Sequence, residues 1–271
     1  MGHSISPAFQ QRAIDYWDMD AKYEALDVDE SDLPSIIDNL RESHVLGANV
    51  TVPYKEAVMP LLDKIGDEVL RIGAVNTIQN IEGTLVGFNT DVVGFSRALK
   101  EDGKFDAVGK TALILGSGGS ARAVTVALMN SGCKHIIVAN RTIGRARNLM
   151  DSLGQDQGIM SVIGLDSDSL SSIIGSIDIL VNCTPIGMTG SSQQGRCPIT
   201  FGNIPDNVFV YDLIYNPQET PLLRLANSSG ARVLGGLPML IYQGAEAFEI
   251  WTGKRAPVTH MFQVAYRSLY V

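Results

Sequence analysis

Cysteine is scarce: Cys133, Cys183 and Cys197 are the only three in 271 residues. An odd number with no pair at metal-ligand spacing gives neither a disulfide framework nor a zinc module, and reduced thiols are expected. His3, His44, His135 and His260 are scattered, so no metal site is expected. Long apolar runs are missing too; none approaches the roughly 20 residues that cross a bilayer. The opening Met1-Gly2-His3-Ser4 has neither the basic nor the apolar region of a secretory signal. These absences point to the cytoplasm and away from a membrane. Positive charge is also in deficit, with 21 Lys and Arg against 29 Asp and Glu, a net charge of −8. That balance argues against a nucleic-acid surface. Any phosphate-bearing ligand has to be held by a local basic patch.

What is present describes a folded, two-domain α/β chain. Hydrophobic residues make up 45% and charged residues 18%, a globular composition, and the length allows each domain its own core. In the first hundred residues the patterns alternate. Pro7 to Trp17 and Leu33 to Arg41 read as helices, and Asp20 to Ala25 as a strand. Ala48 to Val52 is a strand stopped by Pro53, which has no N–H for a sheet ladder. Tyr54 and Lys55 then open an apolar-periodic helix to about Lys64. Val75–Ile78 and Thr84–Phe88 form a hairpin, and Asp91–Lys100 a helix. The charged stretch Glu101 to Lys110, with Gly103 and Gly109, marks a domain boundary.

From Thr111 a regular β-α alternation begins. Strands are expected at Thr111–Leu115, His135–Ala139, Ile159–Ile163, Ile177–Asn182, Val208–Asp212 and Arg232–Leu234, several as continuous apolar runs covered on both faces. Helices at Ser120–Ser131, Gly144–Leu153 and Ser169–Ile174 make the crossovers of a Rossmann-like, doubly wound sheet. Two helices, Leu237–Trp251 and Val258–Leu269, close the chain.

Gly116-Ser117-Gly118-Gly119-Ser120-Ala121 follows a strand and opens a helix, fitting G-x-G-x-x-A in the context that gives it meaning. Gly116 allows the tight turn, Gly118 lets backbone approach a pyrophosphate, and Ala121 keeps helix and strand close. The helix N-terminus offers N–H groups and a positive dipole end to phosphates. At the end of the next strand an NAD site would place an acidic residue. This chain has Asn140-Arg141-Thr142, with Arg145 a turn later. Guanidinium forks match phosphate oxygens, so the expected cofactor is NADP(H).

Taken together, Ser4-Ile5-Ser6-Pro7, Asn49 to Lys55, Gly73 to Thr77 and Gly87 to Asp91 resemble the shikimate dehydrogenase family in order and spacing. The Gly-rich turn, Asn140-Arg141-Thr142, Asn182 to Met188, Asp212-Leu213-Ile214-Tyr215 and Gly236 to Gln243 extend the resemblance over essentially the whole chain. It implies NADPH-dependent reduction of 3-dehydroshikimate to shikimate in aromatic amino-acid biosynthesis. It implies Lys55 and Asp91 as the catalytic pair, with Ser4 and Ser6 on the substrate carboxylate. Thr51, Asn76, Tyr215 and Gln243 would bind substrate oxygens, and Leu213 and Gly236 would line the nicotinamide side. The implied domains are an N-terminal α/β substrate domain, residues 1–102 with 238–271 packing back, and an NADP-binding domain, residues 103–237, with the active site in the cleft between them. The partner is a small-molecule substrate, and the protein a monomer or homodimer. The family normally carries a strand before the Ser-x-Ser-Pro loop; here Met1-Gly2-His3 precede it, and a misassigned or engineered start is expected.

Each residue also has a plainer role open to it. Asp91 can cap the following helix, Ser4 and Ser6 can cap the first one beside Pro7, Asn76 can end a strand, and Cys183 can be a small buried hydrophobe. Alternatives to the activity are a quinate or aminoshikimate dehydrogenase, a folate-type dehydrogenase of similar build, and a non-catalytic NADP-binding regulator.

Overall fold

A computed structural model describes residues 4–153, 158–200 and 202–271 of the chain. The N-terminal residues on which the expectation of an altered start rests lie outside the described ones. The chain forms two compact units, Met1–Gly94 with Ile241–Val271, and Phe95–Leu240.

The first unit opens with α1 (Ser6–Tyr16), which has Pro7 in its first turn, where the missing N–H costs nothing. Next come α2 (Leu33–Asn39), β1 (Gly47–Asn49), β2 (Lys64–Ile65), α3 (Asp67–Ile72), β3 (Thr77–Ile81) and β4 (Thr84–Phe88). The sheet order is β1-β3-β4-β2, antiparallel except for β2 on β4. Its core joins Leu33, Ile37, Val58, Val75, Ile78 and Leu85. Helix α4 (Asp91–Glu101) then carries the chain into the second unit.

Three expectations fail here. Asp20 to Ala25 is not a strand: the Tyr23 amide donates to the Gln11 side chain at 3.0 Å and the Ala21 amide to Met19 at 2.9 Å, so no ladder forms. The strand expected over Ala48 to Val52 is shorter and earlier, ending at Asn49. Val50 still donates to the Asn76 carbonyl at 2.8 Å, but Thr51 already accepts from Tyr54 in a turn. The helix expected from Tyr54 is a series of turns with one 3₁₀ segment, Met59–Leu61. Pro60 has no N–H to continue an α-helix, and the amides around it reach back only three residues, Met59 to Glu56 and Leu61 to Val58.

The second unit runs β5 (Thr111–Leu115), α5 (Gly119–Asn130), β6 (His135–Asn140), α6 (Ile143–Ser152), β7 (Met160–Gly164), α7 (Ser167–Ile173), β8 (Ile179–Asn182), β9 (Phe209–Asp212), α8 (Pro221–Ser228) and β10 (Val233–Leu234). All six strands are parallel, in the order β10-β9-β8-β5-β6-β7. The chain winds outward from β5 through β6 to β7, then returns to the other side of β5 with β8. The turns after β5 and β8 therefore stand side by side at the switch point, where such sheets bind ligands. Leu113, Leu115, Ile137, Ala139, Leu180 and Val210 pack with Leu222 and Leu223 of α8 as one core face; each large apolar side chain so buried contributes about 1.5–3 kcal/mol. Helices α9 (Leu237–Thr252) and α10 (Val258–Tyr270) complete the chain.

Candidate functional site

In the first unit four of the polar residues singled out from the sequence, Lys55, Asn76, Asp91 and Gln243, join in one hydrogen-bonded cluster. Lys55 is held at its backbone: its carbonyl accepts from the Val75 amide at 2.8 Å. Its Nζ donates to Asp91 Oδ2 at 2.5 Å, and the two side chains are only 11% and 6% exposed. Asp91 is the first residue of α4 rather than its cap. Its amide donates to Asn89 Oδ1 at 3.1 Å, and Asn89 Nδ2 in turn to the Ala74 carbonyl at 2.8 Å. With its backbone fixed in this way, the carboxylate turns to Lys55 on one oxygen and to Asn76 Nδ2, at 2.9 Å, on the other. Taking two charges out of water is costly, and mutual pairing plus a second hydrogen bond offsets the cost.

Asn76 is the hub. Its Oδ1 accepts from the Thr90 amide at 2.7 Å, while Nδ2 also reaches Thr90 Oγ1 at 2.9 Å and Gln243 Oε1 at 3.4 Å. Gln243 stands on α9 beside Gly244, where a Cβ would lie 2.5 Å from the Phe9 ring of α1. The bare backbone lets the two helices close, and Gln10 Nε2 donates to the Gly244 carbonyl at 2.9 Å. The remaining expected residues of this unit are exposed or half-buried rather than buried. Thr51 is exposed in the turn after β1, Ser4 is exposed, and its Oγ accepts from the half-buried Ser6 amide at 3.4 Å. Thr77 and Thr90, both buried, belong to the network without having been singled out. Thr90 stands directly before Asp91 within the stretch Gly87 to Asp91, so a hydroxyl next to the expected catalytic carboxylate was its signal.

The second unit holds the Gly-rich turn as read. Gly116 has φ +105°, a region that suits glycine, and a Cβ there would meet Thr184 Cγ2 at 3.2 Å. A Cβ at Gly118 would stand in open space. No side chain caps α5, so the N–H groups of Gly119, Ser120 and Ala121 begin the helix unblocked by a local acceptor. Ser117 is half-buried, and Ala121 is fully buried where helix and strand meet. Asn140 Nδ2 donates to the Thr142 carbonyl at 2.8 Å, shaping the turn that presents the exposed Arg141, Thr142 and Arg145. An uncapped helix start, a bare approach at Gly118 and two exposed guanidiniums at the end of β6 can hold a dinucleotide with a ribose phosphate.

Further along, a Cβ at Gly236 would lie 1.9 Å from the Leu213 oxygen, so this glycine packs backbone against backbone. Tyr215 is half-buried, and burial raises its hydroxyl pKa. Cys183 is half-buried rather than buried. Asn182, Asp212 and Thr220 form a buried polar cluster to which no role was assigned; its signal was a polar residue closing each of two apolar strands. Among the described residues no three His, Cys, Asp or Glu side chains are grouped to hold a metal, and no helix is long and apolar enough to cross a membrane.

Comparison with known proteins bears on both units. The family described as shikimate dehydrogenase substrate binding domain matches residues 1–78, shikimate / quinate 5-dehydrogenase matches 98–188, and shikimate 5′-dehydrogenase C-terminal domain matches 236–266. The shikimate dehydrogenase (NADP(+)) of Methanopyrus kandleri is 40% identical over 268 residues, covering 98% of this chain and 92% of the relative. That of Moorella thermoacetica is 43% identical over 272 residues, covering 98% and 90%. The structure of shikimate 5-dehydrogenase from Thermus thermophilus in complex with NADP(H) and shikimate matches with TM-score 0.87 at 37% identity, covering 99% of this chain and 96% of that one. Quinate dehydrogenase from Corynebacterium glutamicum in complex with NAD matches with TM-score 0.88 at 30% identity, covering 98% and 95%. With a buried polar network in one unit, a doubly wound parallel sheet with its Gly-rich turn in the other, and this similarity along nearly its whole length, the chain belongs to the shikimate dehydrogenase family.

Proposed function

We propose that the chain catalyses the reversible NADPH-dependent reduction of 3-dehydroshikimate to shikimate, in the cytoplasm, as a step of chorismate and aromatic amino-acid biosynthesis. The observation that carries this reading is the buried Lys55–Asp91 pair braced by Asn76, in a chain 40–43% identical to shikimate dehydrogenases (NADP(+)).

Bound NADPH supplies the hydride. Negative charge then develops on the substrate oxygen, and the Lys55 ammonium stabilises it and donates a proton to it. In the oxidising direction Lys55 takes the proton from the hydroxyl. Asp91 aims the ammonium and balances its charge, while Asn76 keeps the second carboxylate oxygen occupied so that the first stays on Lys55. Asn76, Gln243, Thr51 and Tyr215 receive substrate oxygens, and Ser4 and Ser6 receive the carboxylate. Gly116, Ser117, Gly118, Gly119, Ser120 and Ala121 bind the pyrophosphate. Asn140, Arg141, Thr142 and Arg145 hold the 2′-phosphate, and Leu213 and Gly236 border the nicotinamide. The substrate domain comprises residues 1–102 with 238–271 and the cofactor domain residues 103–237, in a monomer or homodimer.

A quinate dehydrogenase is the second reading, favoured by the match to the Corynebacterium enzyme. Absorbance at the NADPH band with shikimate or quinate, each with NADP⁺ or NAD⁺, separates the two. The highest kcat/KM is expected for shikimate with NADP⁺. Preference for quinate would overturn the substrate assignment, and no signal with any pair would indicate a non-catalytic nucleotide-binding protein.

A further inference from the structure

At the C-terminal ends of β8 and β9, two polar residues close apolar strands. Asn182 and Asp212 are register partners, and both are fully buried. Asp212 Oδ1 accepts from Asn182 Nδ2 at 2.9 Å and from the Ile214 amide at 3.1 Å. Its Oδ2 accepts from Thr220 Oγ1 at 2.6 Å, and that hydroxyl accepts from the Leu223 amide at 3.2 Å to cap α8. On the far side Asn182 Oδ1 accepts from the amide of Thr184 at 3.0 Å and from its hydroxyl at 2.6 Å. One carboxylate thus ties together the turn after β8, the turn after β9 and the start of α8.

These turns border the switch point. Thr184 faces Gly116 of the β5 turn, and Gly236 rests on the backbone of Leu213 and Ile214. In a doubly wound sheet the adenine ribose lies at the end of the second strand, which here is β6 with Asn140, Arg141 and Thr142. The rest of the dinucleotide extends the other way, over β8 and β9. A carboxylate is a costly tie in this place: burial pushes the Asp212 pKa up to about 6, against three hydrogen bonds that favour the charged form. A core that needed only filling would be served by an apolar side chain.

We propose that Asp212 is a positioning residue for the nicotinamide half of the dinucleotide, its carboxylate holding the turns that carry Thr184 and Leu213 in the shape that receives that half. The inference rests on the reading of the chain as an NADPH enzyme. Asp212→Asn conserves size but turns one acceptor into a donor, against Thr220 or Ile214. The experiment measures binding of NADPH and of 2′,5′-ADP, which carries the 2′-phosphate and no nicotinamide, to the wild type and the variant. NADPH binding should weaken about tenfold while 2′,5′-ADP stays within about twofold. Equal weakening of both ligands, or undiminished NADPH binding, would overturn the proposal. If Asp212→Asn does not fold, Thr220→Val carries the same comparison with a selective loss of about threefold. A wild type that binds neither ligand would overturn the NADPH reading itself, and the role of Asp212 with it.

Discussion

Replacing Lys55 with Met, Asp91 with Asn, and then both tests whether the buried pair is one energetic and catalytic unit. The side chains are 11% and 6% exposed and 2.5 Å apart, so each single change strands the other group away from water. Breaking a buried pair from one side costs about 3–5 kcal/mol. The two sides are unequal. Asp91 left without Lys55 still accepts from Asn76 Nδ2 at 2.9 Å, which puts Lys55→Met near the lower end. The ammonium left by Asp91→Asn loses its carboxylate, which puts that change near the upper end. The double variant buries neither charge, so its cost should not exceed that of Lys55→Met, and a coupling of about 3 kcal/mol or more follows. Urea unfolding of the four proteins at pH 7 measures it. Turnover is the second readout: Lys55→Met should lower kcat by about 10²–10⁴-fold while NADPH still binds. Costs that add within about 0.5 kcal/mol would refute the pair as a unit. A kcat near that of the wild type would refute Lys55 as the proton donor.

Arg141→Ala removes one of the exposed guanidiniums at the end of β6. It should weaken NADPH about tenfold and leave NADH nearly unchanged, read from KM with each cofactor, whereas equal losses would sink the 2′-phosphate assignment. Gly236→Ala would set a Cβ 1.9 Å from a backbone oxygen that cannot swing aside; thermal unfolding should show a loss of about 1–3 kcal/mol, and an unshifted midpoint would contradict the close approach. Folded Asp212 binds its proton more tightly than the unfolded chain, with a pKa of about 6 against 3.8. The stabilisation from that proton is complete below pH 3.8 and is lost as pH rises through 6, on the order of 3 kcal/mol. The stability of Asp212→Asn relative to the wild type should therefore improve between pH 4 and 7, and a flat difference in urea unfolding would contradict the raised pKa.

The strands of the second unit were legible because they are buried on both faces: Thr111–Leu115 is as read, and β6, β8 and β9 shift only at their ends. The short helices α3 and α8 do not stand out in the sequence although both are punctuated, α3 by Gly73 in the left-handed conformation and α8 by the Thr220 cap before Pro221. Six and eight residues are too few for an apolar period to declare itself. Around Lys55 the apolar spacing of Val58, Leu61 and Leu62 resembled a helix, but Pro60 and contacts with other elements decided the backbone. Leu62 and Ile65 pack against the β-sheet core instead of along one helix face.

Local sequence settles what each stretch can be and which chemistry its residues offer: the parallel sheet, the glycine turn at a helix start, the two arginines after β6, and the order of motifs along the chain. These follow from interactions within a few residues, where backbone sterics and periodic burial act. Which residues meet depends on how the elements pack. Lys55 and Asp91 are 36 positions apart and Asn76 and Gln243 are 167 apart, and what joins them is the β1-β3-β4 register and the glycine contact between α1 and α9. Likewise Asn182 and Asp212 became partners because β8 and β9 pair in that register. Nothing local in either strand specifies its neighbour; burial of whole elements against one another does.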